Sequence, residues 1–393
     1  MLNSYEQKPC ATRIRAFTGV VIAASMLVLT QQPGTVLASN GSIEIHQSCA
    51  FVKGCFPGDA PGLPVTITEP GHYKLTSLIG TTFDAPDLIT IDSSNVTVDL
   101  NGFSLVGLTD CAAAGSPNVT TCTPLGPDTA IRVLLGAGGR HRFVTVRNGI
   151  IEGVRGNGID ASQAFSTIVE NVTVTSCGGE GIIAARGSTV RRSRVARCGG
   201  NGVRVFRDVL VESVISSKNG ASGFSADDGS LLYEVKAVSN TLQGIVAGTA
   251  VSVLDSDVRF SGQNGILLDS WGLASRVTSY GNMQHGIEMR SNSSVRDSVF
   301  NGNTLDGINC TFGCTIEGNL TEVNGDDGIH IVGNGAANVI ANNARGNLGL
   351  GLQTEGNAVY YSQNGLENNT AAATDGGGLS LSSGKNNCNG SLC

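Results

Sequence analysis

The sequence predicts an all-β chain wound as a right-handed parallel β-helix, a solenoid with coils of about 21 residues. Three observations carry that expectation. A Gly followed by a bulky apolar residue recurs at every 21st position from Gly181-Ile182 to Gly328-Ile329, with outlying copies at Gly158-Ile159 and Gly351-Leu352. After it the apolar residues alternate, as in Val203 and Val205, Ile266 and Leu268, Ile287 and Met289, or Ile329 and Ile331. This is the period of a strand and not of a helix. A second apolar position keeps the same step through Val190, Val211, Leu232, Val253, Ala274, Val295 and Ile316, so each unit holds at least two inward-facing strands. Units this short bury an apolar face only by stacking on their neighbours. A leucine-rich repeat has units of similar length but wants several leucines in each, whereas the inward positions here are Ile, Val, Ala, Met and Phe.

Composition narrows the class. The 54 glycines come without a collagen triplet, and 40% hydrophobic residues supply a core, so neither a fibrous nor a disordered chain fits. Lys8, Arg13 and Arg15, an apolar run from Ala16 to Leu29, and Val36-Leu37-Ala38 together read as a signal peptide over residues 1–38. No later segment is apolar enough to span a membrane, so a secreted or periplasmic product is expected with no membrane partner. Removing Cys10 with the leader leaves ten cysteines in close pairs along the chain, which read as local disulfides better than as scattered zinc ligands. Residues 39–63 read as an N-terminal cap, 64–370 as the helix body and 371–393 as a Gly/Ser/Asn-rich tail that closes the far end or is partly unstructured. The stretch from Asp110 to Asp128, with Cys111 and Cys122, reads as a stapled loop.

One polar column stands out. Asn219, Asn240, Asn282, Asn303 and Asn324 share a register, with Ser261 among them and Cys177 and Cys198 ahead. Adjacent coils lie about 4.8 Å apart, so each amide can donate to the next, and Cys177 and Cys198 fall within disulfide range.

These repeats, with Asn95-Val96-Thr97-Val98-Asp99-Leu100-Asn101-Gly102 and Val144-Thr145-Val146-Arg147-Asn148-Gly149, resemble the pectin-lyase-like superfamily over roughly residues 64–370. The resemblance is specific for fold. Its members include polysaccharide lyases, hydrolases, epimerases, tailspikes and non-catalytic surface proteins.

Two constellations offer chemistry. His285, Asp306 and Asp327 occupy one register just before the Gly-Ile strand on three successive coils, beside Asp326; Glu288, Asn309 and His330 form a second outward column, with Arg290 nearby. Stacked carboxylates at that separation suit paired acid and base work. Asn303-Thr304-Leu305-Asp306-Gly307 and Asp326-Asp327 are similar in part to the polygalacturonase pattern, which implies Asp327 or Asp326 as acid and Asp306 as base. Leu305 and Gly349-Leu350-Gly351 depart from that pattern. The alternative reading is ordinary turn chemistry of Asp or Asn before Gly.

The second constellation is charge. Residues 132–207 hold twelve Arg against four acidic residues, while residues 208–393 hold eight basic and eighteen acidic residues. Arg186, Arg204 and Arg207 are candidates to hold an acidic polysaccharide, against the alternative of a collar of ordinary ion pairs. Export and a net charge of −7 oppose nucleic acid as partner. No cofactor or metal is expected; Asp227, Asp228 and Asp269 could take calcium, but no loop has the dense oxygen spacing of a dedicated site. The functional expectation is a secreted protein that binds an acidic polysaccharide and cleaves it as lyase or hydrolase. The alternative is a non-catalytic structural or adhesive β-helix.

Overall fold

The computed structural model describes residues 41–114, 119–123, 125–333, 335–355, 358–370, 374–376, 381–382 and 385–392. The expected signal peptide lies outside them. Three parallel faces run the length of the solenoid. The first is a sheet of 14 strands, from Val65–Ile67 to Thr374–Gly376, in which every strand pairs only with the coil before and the coil after. The Gly-Ile strands build this face, and the expected register holds: Ile287 faces Ile308, which faces Ile329.

The second and third faces follow in each coil, as in Thr189–Arg191 and Arg194–Ala196. In two early coils they are one continuous strand, Val144–Val154 and Ile168–Cys177. The second face carries the Val190 to Ile316 column, fully buried. Inward positions of the third face are Val195, Ser216, Ala237, Val258, Ser279, Phe300 and Thr321. Ser216 and Ser279 each donate to a glycine carbonyl at 2.7 Å, so a hydroxyl is tolerated in the core.

Between the second and third faces the chain bends at a single left-handed residue per coil: Arg192, Ser213, Glu234, Asp255, Arg276 and Asp297 have φ between 47° and 53°. A second left-handed corner ends the third face, at Arg197, Lys218, Ser239 and Phe260. The glycine of the repeat serves a different need. A Cβ on Gly286 would meet Gly307 O at 2.6 Å and Asn303 Nδ2 at 2.7 Å, so only glycine lets the coils close to strand spacing there.

The asparagine column forms as expected. Asn282 Nδ2 donates to Asn303 Oδ1 at 2.8 Å, Asn303 to Asn324 at 3.0 Å, and Asn324 to Asn347 at 2.9 Å. Each Oδ1 also accepts the backbone N–H of the preceding coil's asparagine, as at Asn282 N to Asn303 Oδ1. A second ladder, not anticipated, joins Asn319, Asn342, Asn364 and Asn386 at 3.0 to 3.1 Å. Through it the winding continues into the C-terminal tail.

Disulfides join Cys49–Cys55, Cys111–Cys122, Cys177–Cys198 and Cys310–Cys314. Cys177 and Cys198 stand on adjacent coils with Cα atoms 4.5 Å apart. Cys388 is also disulfide-bonded, and Cys393 lies outside the described residues. At the other end Ile43–Ile45 pairs with Gly71–Leu75, and a short helix, Gln47–Val52, places Ala50 in the core. Among the described residues no helix is long and apolar enough to cross a membrane.

Asn303→Ala removes one ladder amide and leaves the Asn282 side chain and backbone N–H without their acceptor. It is expected to cost about 3 kcal/mol, read as a drop in the circular-dichroism melting midpoint. The exposed Asn343→Ala is expected to stay within about 0.5 kcal/mol of wild type. Equal midpoints for the two variants would refute a supporting role for the ladder.

Candidate functional site

The corner before each first-face strand is itself a ladder. In some coils an asparagine accepts the backbone N–H one coil on: Asn157 accepts from Glu180, Asn201 from Ser222 and Asn264 from His285, while Glu180, Ser222 and Gln243 between them bond to neighbouring side chains. The next three members are ionisable. His285 Nδ1 lies 3.3 Å from the Asp306 amide, Asp306 Oδ1 accepts from the Asp327 amide at 3.1 Å, and Asp327 Oδ1 accepts from Leu350 at 2.6 Å. Stacking therefore brings His285, Asp306 and Asp327 together, as their shared register implies.

Asp306 is the centre. Its Oδ2 is 3.1 Å from His285 Nδ1, 3.4 Å from His330 Nδ1 and accepts Asn309 Nδ2 at 2.8 Å. His330 Nδ1 also lies 3.7 Å from Asp327 Oδ2, and its Nε2 is 3.3 Å from Glu355 Oε1, outside hydrogen-bonding alignment. Both aspartates are only 2% exposed. His285 and His330 are partly exposed as residues, but the His330 Nε2 atom is itself buried. Asp326 and Arg290 are exposed, and Glu288 Oε2 accepts Asn264 Nδ2 at 2.7 Å.

Burial acts against the charge of both aspartates, with opposite outcomes. On Asp306 it is outweighed by the hydrogen bonds of His285, His330 and Asn309, which hold the carboxyl well below the usual range. On Asp327 burial dominates the single backbone donor, Leu350, and the neighbouring charges of Asp306 and Asp326 add to it, pushing the carboxyl up to about 6. Burial would lower the His330 imidazole, but its bond to Asp306 and the nearby carboxylates raise it. At neutral pH the Asp306 anion is thus shared by two histidines, with Asp327 largely ionised beside it.

His285 has a choice of partner at one atom. Neutral at Nδ1 it accepts from the Asp306 amide; protonated there it donates to the Asp306 carboxylate. Either way Nε2 is left for a ligand. Asp306, Asp327 and His330 also bring one ligand atom each within 4.8 Å of one another, a spacing that fits a cation. Asp306 already has its acceptor sites filled by Asn309, the histidines and a backbone amide, which favours proton sharing as the reading of the cluster.

The arginine band is largely neutralised within the protein. Arg186 meets Asp208 at 2.9 Å, Arg207 meets Asp228 at 3.1 Å, and Arg204 lies 3.7 Å from Glu180 and over the Phe206 ring. Arg191 and Arg192 share Glu170. Asp228, named with Asp227 and Asp269 for calcium, is taken up by Arg207 and the Thr249 amide. Glu355 escaped the sequence reading, because the coil that carries it is longer than 21 residues.

Asp306→Asn is expected to lower the His330 titration midpoint, followed by imidazole NMR; an unchanged midpoint would contradict the coupling. For Asp327 the folded carboxyl titrates at about 6 against an ordinary value of 3.8, so the folded state holds the extra proton between them. Stability from this group therefore falls as pH rises through that window. Asp327→Asn is expected to flatten that part of the denaturant-midpoint against pH curve.

A family model described as the right handed beta helix region matches residues 111–265 and 264–393. The sequence has no match among curated proteins. Among solved structures the chain is similar to the A-module of an Azotobacter vinelandii mannuronan C-5 epimerase, at 15% identity over 79% of this chain and 91% of that one, TM-score 0.45. It is similar to the periplasmic alginate epimerase AlgG at 14% identity over 88% and 83%, TM-score 0.43. The Agl-KA catalytic domain matches at 11% identity over 80% and 62%, TM-score 0.44. At such identities and scores nothing about activity transfers. The family match spans most of the sequence, and by it the chain belongs to the right-handed β-helix family.

Proposed function

We propose that this protein works outside the cytoplasm, binds an acidic polysaccharide, and moves protons on it with the cluster around Asp306. The observation that carries this is the chemistry of the corner ladder. At Asn157, Asn201 and Asn264 a neutral amide accepts the next coil's N–H. Asn would do the same at residues 306 and 327. Placing two carboxyls there instead, both buried, costs stability through desolvation, and such a cost is typical of functional sites.

In this reading Asp306 is a positioning residue, because its carboxylate is out of reach of a substrate and fixes two histidines. His285 exchanges protons with the glycan, and His330, whose Nε2 is buried, shares the Asp306 carboxylate behind it. Asp327, a carboxyl that titrates near 6, buffers the charge of the group. A base and an acid side by side suit removal of the acidic C5 proton of a uronate and protonation of the departing glycosidic oxygen. The disulfides and the expected leader support the location.

One observation favours a second reading, a non-catalytic extracellular β-helix: each aspartate also serves as an ordinary ladder acceptor. Incubation with polygalacturonate, alginate and neutral glucans separates the two. New reducing ends report hydrolysis, ultraviolet absorbance of an unsaturated uronate reports elimination, and an altered sugar NMR pattern reports epimerisation. His285→Gln is expected to lower the rate by about 100-fold or more. An activity that survives both His285→Gln and Asp306→Asn would place the chemistry elsewhere, and binding without turnover would establish the second reading.

A further inference from the structure

The third face carries two arginines, Arg194 and Arg197, that no carboxylate among the described residues neutralises. Arg194 and Arg197 differ from most arginines of the basic segment, since Arg132, Arg147, Arg155, Arg186, Arg191, Arg192, Arg204 and Arg207 each lie against a carboxylate. Neither Arg194 nor Arg197 has a carboxylate partner among the described residues, and both are exposed. The Arg197 guanidinium donates to the Thr175 hydroxyl at 3.5 Å.

Register places these groups in line. Arg194 pairs with Ile215, and Ile215 with Lys236, so the two cations stand two coils apart on one outward column, about 10 Å by strand spacing. Arg197 and Lys218 occupy the same left-handed corner on adjacent coils. Together with Thr173, Thr175 and Ser217, the Arg194, Arg197 and Lys218 side chains line a depression of about 260 Å³. Further along the same corner column comes Phe260, 50% exposed, packed edge-on against Tyr280, 42% exposed, with ring centroids 5.4 Å apart. Glycine at 281 lets the Phe260 ring lie across the next coil, because a Cβ there would meet that ring at 2.9 Å.

We infer that the third face is a second glycan-binding track, on which an extended acidic polysaccharide runs along the solenoid axis. Arg194, Arg197 and Lys236 take its carboxylates, and Phe260 with Tyr280 stacks a sugar ring beyond them. The chemistry is complementary: guanidinium groups pair bidentately with carboxylates, and an aromatic face suits the C–H side of a pyranose. One coil rises by about the length of one sugar ring, so successive residues of a chain meet successive coils. The track is separate from the Asp306 cluster, which lies at the corner leading into the first face. It rests on the proposed acidic-glycan ligand.

The test compares the full-length protein with Arg194→Gln/Arg197→Gln and with Phe260→Ala, measuring binding of polygalacturonate and alginate by affinity electrophoresis and calorimetry. Dextran serves as the neutral control. The arginine double variant is expected to weaken polyuronate binding by about tenfold or more, with a shallower salt dependence, and Phe260→Ala by a few-fold. Turnover of short oligouronates, if the wild type shows it, is expected to be unchanged in both. Polyuronate binding that is unaffected by the arginine double variant would overturn the track alone and leave the proposed function standing. Absence of polyuronate binding in the wild type would overturn both. A matching melting midpoint for each variant excludes misfolding as the cause of lost binding.

Discussion

The structure depends on one constraint: every residue must tolerate a copy of its own position about 4.8 Å away, above and below. A parallel stack multiplies each local choice along the axis. Apolar columns become a continuous core; like charges would repel at every step; an unpaired turn amide would recur in each coil. The asparagine ladders answer the last problem, since an amide can donate and accept at once and so satisfies the turn it belongs to and the one beside it. The glycine column answers the steric one, where Gly286 and its repeats let the backbone of the next coil approach.

Electrostatics follow the same rule. The corner between the second and third faces mixes signs, so Arg276 lies 2.6 Å from Asp255 one coil back, and Ser213 donates to Glu234. Exposed pairs of this kind are worth little individually, but Ser213 and Arg276 relieve the two acidic neighbours, Glu234 and Asp255, from either side. Against that background the Asp306 cluster is set apart by its burial. Asp306 and Asp327 are acidic neighbours in one column, and the conflict is relieved by two histidines and by keeping the proton on Asp327 up to about pH 6. A stack designed for stability alone has no use for that arrangement.

Much of this was legible because the period is strict. Between Gly181 and Gly328 no insertion shifts the register, so the columns of Val190, Asn282 and His285 could be read by counting, and the same count put Cys177 beside Cys198. Where the count fails, legibility fails with it. The second ladder escaped because Asn319, Asn342 and Asn364 are 23 and 22 residues apart and are preceded in the register by Ser298 and Val277. The third face escaped because Ser216, Ser279 and Thr321 point inward, and a hydroxyl does not announce a core position. The left-handed corners escaped because Arg192, Glu234, Asp255 and Arg276 hold a conformation that usually marks glycine or asparagine. Register also brought Asp306 to His285 and His330 without showing that the carboxylate is buried, which moves it from contact with a substrate to the support of groups that reach one.

That distinction matters for how a β-helix can acquire chemistry at all. Its outward side chains are well separated from solvent-excluding walls, so a catalytic group on a face would sit in water at its ordinary pKa. The corner before the first face offers what the flat faces lack. Its ladder draws side chains inward onto the next coil's amides, so a residue placed there is desolvated by the fold itself, with no lid or cleft. Replacing amides by carboxyls in that ladder is then a short route from scaffold to acid–base site, because the hydrogen bonds that hold the side chain already exist. The cost is confined to the coils that carry the change, since each coil contacts only its neighbours.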